Sequence, residues 1–238
     1  MEKKEEYNEI TARHYAAYRP QLHEFILEKC LSRKETFENG LDIGCGTGIS
    51  TMALAKYCTK VYGIDPSAAM LNKAKSGKNV KFLLYDGHTI PMYNRKIDLV
   101  TFSGSLNYAK SPLLIKELFR ICHDNSIIIS YDFGIILDDV LDQNKIKRKE
   151  KPGNYDFEVN FDDQTDFDKM KSNKEQIEIT VDAKELAHIL LSSTWNYGMF
   201  VKKFNESDPF AELLKNLKEV RPHWVLKTNV YYSKYKVT

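Results

Sequence analysis

The sequence has no apolar run long enough to cross a membrane. A spanning helix needs about 20 consecutive apolar residues, and no stretch of the 238 residues approaches that length. The first ten residues, MEKKEEYNEI, also lack the apolar segment of a secretory signal, and their acids are atypical of a transit peptide. We therefore expect a soluble, cytoplasmic protein without a membrane partner.

Cysteine is scarce and scattered. The four cysteines, Cys30, Cys45, Cys58 and Cys122, form no C-x-x-C pair and have no closely spaced histidine partner, and none of the six histidines belongs to an H-E-x-x-H motif. This spacing is typical neither of a zinc site nor of a disulfide framework. The sequence therefore predicts reduced thiols and no metal.

Neither sign of charge is in excess. The 35 basic and 33 acidic residues give a formal net charge of +2. Proteins that bind nucleic acid usually carry a basic stripe, so this balance makes a nucleic-acid partner an unfavoured interpretation. Internal repeats and low-complexity linkers are also missing. The chain length is right for one substantial core with a small accessory lobe.

Short apolar runs alternate with helix-like segments over residues 39–132. The predicted strands are 40–43, 60–65, 80–86, 97–102 and 126–133, and the predicted helices between them are 48–58, 67–75 and 111–123. Ser111 and Pro112 supply an N-cap and a first helical position. Strands and helices that alternate in this way form a parallel sheet with crossover helices.

The flanks depart from this alternation. Residues 7–30 predict two helices separated at Pro20, and 145–151 is a lysine-rich run that we interpret as a solvated loop. Apolar and polar residues alternate over 155–161, which predicts a half-buried antiparallel strand with 176–182 as its partner. The remaining predictions are helices at 185–195 and 208–219 and a terminal strand at 224–235.

Residues 41–50, LDIGCGTGIS, place three glycines directly after the first predicted strand. A glycine loop there lies at the carboxyl edge of the sheet, where open α/β folds bind ligands. The dinucleotide motif G-x-G-x-x-G requires glycine at position 49, which is Ile49; the third glycine is Gly48. This pattern disfavours a pyrophosphate ligand, although the spacing to Asp65 suits NAD equally well.

Four motifs in order resemble those of class I S-adenosylmethionine-dependent methyltransferases. They are DIGCGTG (42–48), VYGIDPSAAML (61–71), LYDGHTIPM (84–92) and KIDLVTFSGSLNYA (96–109). The resemblance implies S-adenosyl-L-methionine as cofactor. It also implies a three-layer, doubly wound, mostly parallel seven-stranded α/β sheet of the Rossmann-like methyltransferase type, with an N-terminal helical cap and an antiparallel and helical lid insertion.

The same resemblance assigns cofactor contacts. Asp65 would accept from both ribose hydroxyls, a charge-assisted arrangement that a carboxylate suits, and Asp86 would contact the adenine amino group. The remaining implied contacts are Gly44, Cys45, Gly46 and Gly48 in the loop, Pro66 and Met70 after the second strand, Gly87 and His88 beside adenine, and Ser103 near the methyl group. Asp42 is left with two interpretations: it holds the cofactor ammonium or the loop amides, or it caps the turn. Cys45 has no adjacent base and is interpreted as a small tolerated side chain.

Two flanking segments resemble the trans-aconitate and type 11 group of small-molecule methyltransferases. HYAAYRP (14–20) is similar to that group's N-terminal helix, which implies that Arg19 pairs with the methionine carboxylate and Tyr15 lines the pocket. The alternative is a helix ended by proline whose tyrosines pack on the core. Residues 185–198 partly resemble its lid helix. Trp195 would then wall the acceptor site or belong to the core, and His188 would be a satisfied histidine or a substrate contact.

The expected reaction is methyl transfer to a small molecule by in-line displacement, which depends on positioning and exclusion of water. A carboxylate or thiolate acceptor needs no base, whereas a hydroxyl or amine does. Tyr15, Ser103 and Asp132 are unranked candidates for that base. The fourth strand lacks the N/D-P-P-Y/F signature of enzymes that methylate exocyclic amines. The alternatives are an RNA- or protein-directed methyltransferase, a non-catalytic cofactor-binding protein and an NAD-dependent oxidoreductase.

We expect a single methyltransferase domain over residues 1–238. Within it we predict a helical cap (1–35), a cofactor-binding core (36–135), a lid insertion (136–200) and a C-terminal helix and strand that complete the sheet (201–238). The acceptor and the oligomeric state are left open.

Overall fold

The computed structural model of the chain describes residues 9–75, 77–146 and 155–238. The first two residues of the predicted N-terminal helix and residues 147–151 of the predicted solvated loop therefore lie outside the described residues.

The described residues form ten helices and seven strands. The helices are α1 (Glu9–Ala17), α2 (Leu22–Cys30), α3 (Ile49–Leu54), α4 (Ala68–Leu71), α5 (Leu106–Ala109), α6 (Pro112–Ile121), α7 (Asp138–Gln143), α8 (Ala183–Leu191), α9 (Thr194–Phe204) and α10 (Phe210–Val220). The strands are β1 (Phe37–Ile43), β2 (Cys58–Asp65), β3 (Val80–Leu84), β4 (Ile97–Ser103), β5 (Cys122–Ile135), β6 (Phe167–Asp182) and β7 (His223–Val237).

All seven strands belong to one sheet in the order β3-β2-β1-β4-β5-β7-β6. The pairs β1–β2, β1–β4, β2–β3 and β4–β5 are parallel. Between β6 and β7, Thr238 donates from its backbone to Asp166 and the Gln176 side chain reaches Asn229. Because one residue number rises as the other falls, these two strands run in opposite directions. The predicted seven-stranded, mostly parallel α/β sheet is confirmed.

The predicted alternation of strands and helices over residues 39–132 is also confirmed. The N-terminus of α6 has the predicted chemistry: the Ser111 side chain accepts from the Leu114 N–H, and Pro112 occupies the first turn. Apolar side chains from β1, β2 and β4 are fully buried, among them Leu41, Ile64 and Phe102. Strands of this kind read as nearly continuous apolar runs, so the sequence identified them.

The predicted strand at 155–161 is wrong. The segment is irregular, and β6 begins only at Phe167. The Asp156 side chain accepts from the Glu158 N–H at 2.8 Å, and Asn160 accepts from the Asp162 N–H at 2.9 Å. Such side-chain bonds to the backbone two residues ahead form turns that compete with a strand ladder.

The predicted helix at 185–195 is two helices. The helix is interrupted between α8 and α9. The Ser193 side chain accepts from the Asn196 N–H there and caps the start of the second helix. Asp182 and Glu185 form a capping box that begins α8.

The chain divides into two compact units. The first comprises the described residues of Met1–Pro20, Ile135–Asn154 and Gln176–Asn229, and the second comprises Gln21–Gly134, Tyr155–Glu175 and Val230–Thr238. The first unit has a core that includes Leu186, Phe200, Leu213 and Trp224. The domain boundaries expected from the sequence remain predictions. No helix in the described ranges combines the length and apolar character of a membrane-crossing segment.

Candidate active site

The candidate site is built from the carboxyl ends of the parallel strands in the second unit. Parallel strands end at the same edge of a sheet, and the connecting loops there form the ligand crevice of open α/β folds. The residues at this edge are the glycine loop 44–48 after β1, Asp65 in β2, Asp86 after β3, Ser103 and Gly104 at the end of β4, and Asp132 in β5.

The glycine loop has two different requirements for glycine. At Gly48, with φ of 80°, a β-carbon would lie 2.5 Å from Cζ of Phe82, so this position is restricted by packing against β3. At Gly46, with φ of 54°, a β-carbon would meet nothing within 4 Å. Gly46 therefore presents bare backbone to open space, which suits the close approach of a ligand.

Asp65 is buried at the end of β2 and is tied to the glycine loop. Its Oδ2 accepts from the Gly46 N–H and its Oδ1 accepts from the Ser67 N–H, both at 2.8 Å. Each carboxylate oxygen has further acceptor capacity, so Asp65 can still receive the two hydroxyls of a ribose. Pro66 is exposed beside it. The Met70 N–H donates to the Ser67 hydroxyl, which caps the N-terminus of α4.

Asp42 makes its hydrogen bonds inside the protein. Its side chain is fully buried, and its oxygens accept from the hydroxyls of Ser50, Thr51 and Thr101 at 2.6 to 3.0 Å. Burial raises the pKa of this carboxyl. Asp42 was given two interpretations: contact with the cofactor ammonium or the loop amides, and capping of the turn. The geometry supports the second, because Asp42 binds hydroxyls of α3 and β4.

The loop after β3 is exposed. Asp86 accepts from the His88 N–H at 2.9 Å, and this bond lowers the pKa of the carboxyl. A β-carbon at Gly87 would meet nothing within 4 Å. An acid beside open backbone fits an adenine amino group and ring.

Ser103, at the end of β4, contacts a histidine that no sequence motif indicated. The Ser103 Oγ lies 3.0 Å from His23 Nδ1, and the same nitrogen lies 3.2 Å from the Tyr131 hydroxyl. His23 is buried on α2. His23 reaches the sheet edge through packing of a separate helix. It is isolated in the sequence, so no sequence motif indicates that it belongs to the site.

Asp132 contacts a second residue that the sequence did not assign to the site. The Tyr155 hydroxyl lies 2.5 Å from Asp132 Oδ2 and 2.8 Å from the carbonyl oxygen of Gly104. Asp132 itself is buried. The sequence predicts only a strand around Tyr155, since its sequence neighbours carry no motif.

Cys45 is not suited to covalent catalysis. Its side chain is buried, and burial raises the pKa of the thiol above its ordinary value. A thiol held in its neutral form is a weak nucleophile. Within the described ranges, no three His, Cys, Asp or Glu side chains are grouped in a way that could hold a metal ion.

The remaining predicted residues lie in the first unit. The Arg19 guanidinium lies 4.9 Å from the centre of the Tyr15 ring. His188 Nδ1 lies 3.0 Å from His14 Nδ1, as expected of a satisfied histidine. Trp195 is half-buried in the first turn of α9. Their assignments to the cofactor or the acceptor stay predictions.

Comparison with known proteins identifies the part of the chain that contains the glycine loop, Asp65, Asp86 and Ser103. Residues 41–125 match the family described as a methyltransferase domain. A putative methyltransferase from Dictyostelium discoideum is 28% identical over 119 residues, 50% of this chain and 44% of that protein. A ubiquinone/menaquinone biosynthesis C-methyltransferase from Campylobacter jejuni is 30% identical over 101 residues, 39% of this chain and 43% of that protein. The matched segments thus span less than half of either relative.

A solved structure resembles the chain over most of its length. A putative type II methyltransferase from Anaeromyxobacter dehalogenans superimposes with a TM-score of 0.59 at 16% identity, covering 92% of this chain and 95% of that one. At this identity the likeness concerns the fold. Motifs, sheet order and family match agree: residues 41–125 of this chain match a methyltransferase domain and resemble the class I S-adenosylmethionine-dependent methyltransferases.

Proposed function

We propose that this chain transfers the methyl group of S-adenosyl-L-methionine to a small-molecule acceptor by direct in-line displacement. The observation that carries the proposal is the pairing of Gly46 with Asp65 at the sheet edge. It places a buried carboxylate beside bare backbone, which fits a nucleoside with free ribose hydroxyls better than a pyrophosphate.

The chain's own residues bind and orient. Asp65 accepts the ribose hydroxyls, Asp86 with Gly87 and His88 receives the adenine, and the backbone of Gly44 to Gly48 passes beneath the amino-acid part. Pro66 and Met70 flank the ribose, and Ser103 faces the methyl group. The bound cofactor supplies an activated methyl group, so the protein contributes position and exclusion of water.

Two observations favour a small acceptor. The near balance of 35 basic and 33 acidic residues gives no electrostatic basis for a nucleic-acid partner. Several relatives carry names of small-molecule enzymes, such as the C-methyltransferase from Campylobacter jejuni and a demethylmenaquinone methyltransferase from Corynebacterium kroppenstedtii. An RNA or protein acceptor is the second candidate.

Calorimetry with S-adenosylhomocysteine tests the cofactor assignment. We expect the wild-type chain to bind S-adenosylhomocysteine and not NADH. Asp65→Asn should weaken binding at least about tenfold, because a hydrogen bond to a charged group contributes roughly 1.5–3 kcal/mol. Asp168→Asn, at an exposed position of β6, is the matched control and should bind as the wild type does.

Equal affinity of Asp65→Asn and the wild type would contradict the assignment of Asp65. Incubation with methyl-labelled cofactor then separates the acceptor classes. Label in a small-molecule extract supports the proposal, whereas label confined to added tRNA or protein favours the second candidate.

A further inference from the structure

A buried ion pair on α6 contacts the loop that follows β3. The buried face of this helix consists of Leu114, Leu118, Ile121 and one charged residue, Glu117. Arg120 donates to Glu117 from Nε to Oε1 at 2.8 Å and from Nη2 to Oε2 at 2.6 Å. This hydrogen bonding lowers the pKa of the Glu117 carboxyl, so the pair is ionised at neutral pH. Burial of an ion pair is costly compared with burial of apolar side chains. The packing of α6 alone therefore does not account for the pair.

The pair holds Ile90 by both of its main-chain polar groups. Glu117 Oε2 accepts from the Ile90 N–H at 2.8 Å, and Arg120 Nη2 donates to the Ile90 carbonyl oxygen at 2.7 Å. The Ile90 side chain is itself buried in the core. Side chain and backbone of this residue are thus fixed together, which makes Ile90 an anchor point of the loop.

All five N–H groups of the Arg120 guanidinium have acceptors. Nη1 donates to the Met92 carbonyl oxygen at 2.8 Å and to Asn94 Oδ1 at 3.0 Å. The two bonds to Glu117 and the one to Ile90 use the remaining three donors. The planar fork of an arginine can bind several acceptors at once in this way, whereas the ammonium group of a lysine is a point charge. Arg120 therefore joins α6 to the loop at three of its residues.

Residues 86–89 form a short turn between two fixed points. Before the turn, the Tyr85 N–H donates to the Asp65 carbonyl oxygen at 3.1 Å, and after it Ile90 is held by α6. The turn is exposed, and it contains Asp86, the acid that we assign to the adenine amino group. Because only four residues join the two fixed points, the position of Ile90 determines where the Asp86 carboxylate lies.

We propose that Glu117 and Arg120 are positioning residues for the adenine and that, through the turn 86–89, they make the site select a nucleobase with a 6-amino group. The inference rests on the proposed function, in which Asp86 receives the adenine. A carboxylate accepts from an amino group and repels the oxygen that replaces it in hypoxanthine. A site built around such a hydrogen bond rejects the analogue that lacks it, provided that the carboxylate is held in place.

Calorimetry with two ligands tests this selection. S-adenosylhomocysteine carries the 6-amino group, and S-inosylhomocysteine carries an oxygen in its place and is otherwise identical. We expect the wild type to prefer S-adenosylhomocysteine by at least about tenfold, the scale of one hydrogen bond to a charged group. Arg120→Gln should lower this preference to less than about threefold, because binding must then order the turn before Asp86 can accept. A merely structural role of Arg120 would weaken both ligands alike and keep the preference.

Two further variants separate this role from folding and from loss of charge. Arg120→Lys keeps a positive charge beside Glu117 but cannot bind the carbonyl oxygens of both Ile90 and Met92. It should therefore lose the preference as Arg120→Gln does. Arg33→Gln removes an arginine from an exposed ion pair of the same unit and should keep the wild-type preference.

Hydrogen exchange and a double variant show whether the pair acts through the turn. In the protein without ligand, Arg120→Gln should speed exchange of the Ile90 amide at least about tenfold and leave the amides of β4 unchanged. Asp86→Asn/Arg120→Gln should bind S-adenosylhomocysteine within about twofold of Asp86→Asn alone, because both changes act on one interaction.

The outcomes separate the two proposals. Absence of S-adenosylhomocysteine binding by the wild type would overturn the proposed function. Binding of both ligands with equal affinity by the wild type would overturn the selection alone. A wild-type preference that persists in Arg120→Gln and Arg120→Lys, or additive losses in the double variant, would overturn the positioning role of the pair.

Discussion

Asp42, in the first motif, and Asp65, in the second, show how the environment gives two acids different roles. Both end up buried, at 0% and 8% exposure. Asp42 is surrounded by three hydroxyls that donate to it, whereas Asp65 is held by two backbone amides beside open backbone. Asp42 therefore stabilises the strand–helix junction, and Asp65 remains able to bind a ligand.

Asp42→Ala should destabilise the protein strongly. The substitution leaves the hydroxyls of Ser50, Thr51 and Thr101 without their shared acceptor in a buried place, which costs about 3–4 kcal/mol of unfolding free energy in total. Urea unfolding followed by circular dichroism measures the loss. Asp139→Ala, at an exposed position, should stay within about 0.5 kcal/mol of the wild type. A loss below about 1 kcal/mol at Asp42 would contradict the junction role.

For single residues, the sequence predicts membership of the site where the residue lies in a loop that directly follows a strand. The glycines, Asp65, Asp86 and Ser103 follow strand ends, so strand prediction alone places them at one edge. His23 and Tyr155 reach that edge by packing of distant segments. Nothing in their local sequence records that packing, so they could not be predicted.

Among the elements, the parallel half of the sheet could be predicted because its strands are buried on both faces and its helices have clear boundaries. Prediction failed at 155–161, where apolar residues alternate for another reason. Phe161 is fully buried against Phe102 and Tyr235, while Asp156 and Asn160 fold the backbone between the apolar residues into turns. Phe157 in the same alternation is 40% exposed, so the alternation of apolar and polar residues neither establishes burial nor distinguishes a β-ladder from a series of turns.

The capping box of α8 allows a prediction for a single helix. Asp182 accepts from the Glu185 N–H, and the Glu185 side chain accepts from the Asp182 N–H, both at 2.8 Å. Asp182→Ala should lower the unfolding free energy by about 1 kcal/mol, the usual contribution of an N-cap. Lys184→Ala, exposed in the same turn, should change it by less than about 0.5 kcal/mol. Thermal unfolding of the two variants measures both losses. An equal loss in the two variants would contradict the capping interpretation.

Across the whole molecule, histidines give the two units opposite responses to pH. Burial is the main cause that lowers the pKa of His14 and His188 below the ordinary 6.5, with Arg13 and Lys184 adding to it and Asp208 and Asp182 opposing it. In the second unit, the Asp124 carbonyl and the Asp98 carboxylate raise the pKa of His123 above 6.5.

Hydrogen exchange resolved by segment checks the sign of each response. The His14–His188 contact stabilises the first unit fully above pH 6.5, and this contribution is lost as pH falls, because the unfolded chain then binds protons more readily. Protection of α1 and α8 should therefore drop below pH 6.5. The contribution of His123 is full below pH 6.5 and is lost as pH rises through its raised pKa.

Substitution distinguishes these sites from general effects of pH. The double variant His14→Gln/His188→Gln should flatten the acid response of α1 and α8 and leave β5 unchanged, and His123→Gln should do the reverse. An acid response of the first unit that persists in the double variant would exclude the two histidines as its cause.

The division into two units has a practical consequence through the placement of rare residues. Both tryptophans, Trp195 and Trp224, belong to the first unit, and all four cysteines belong to the second. Because those cysteines are buried, a thiol reagent modifies them only when the second unit opens. Tryptophan fluorescence reports the first unit and thiol labelling the second, so the native sequence already carries a separate intrinsic probe for each half of its own unfolding.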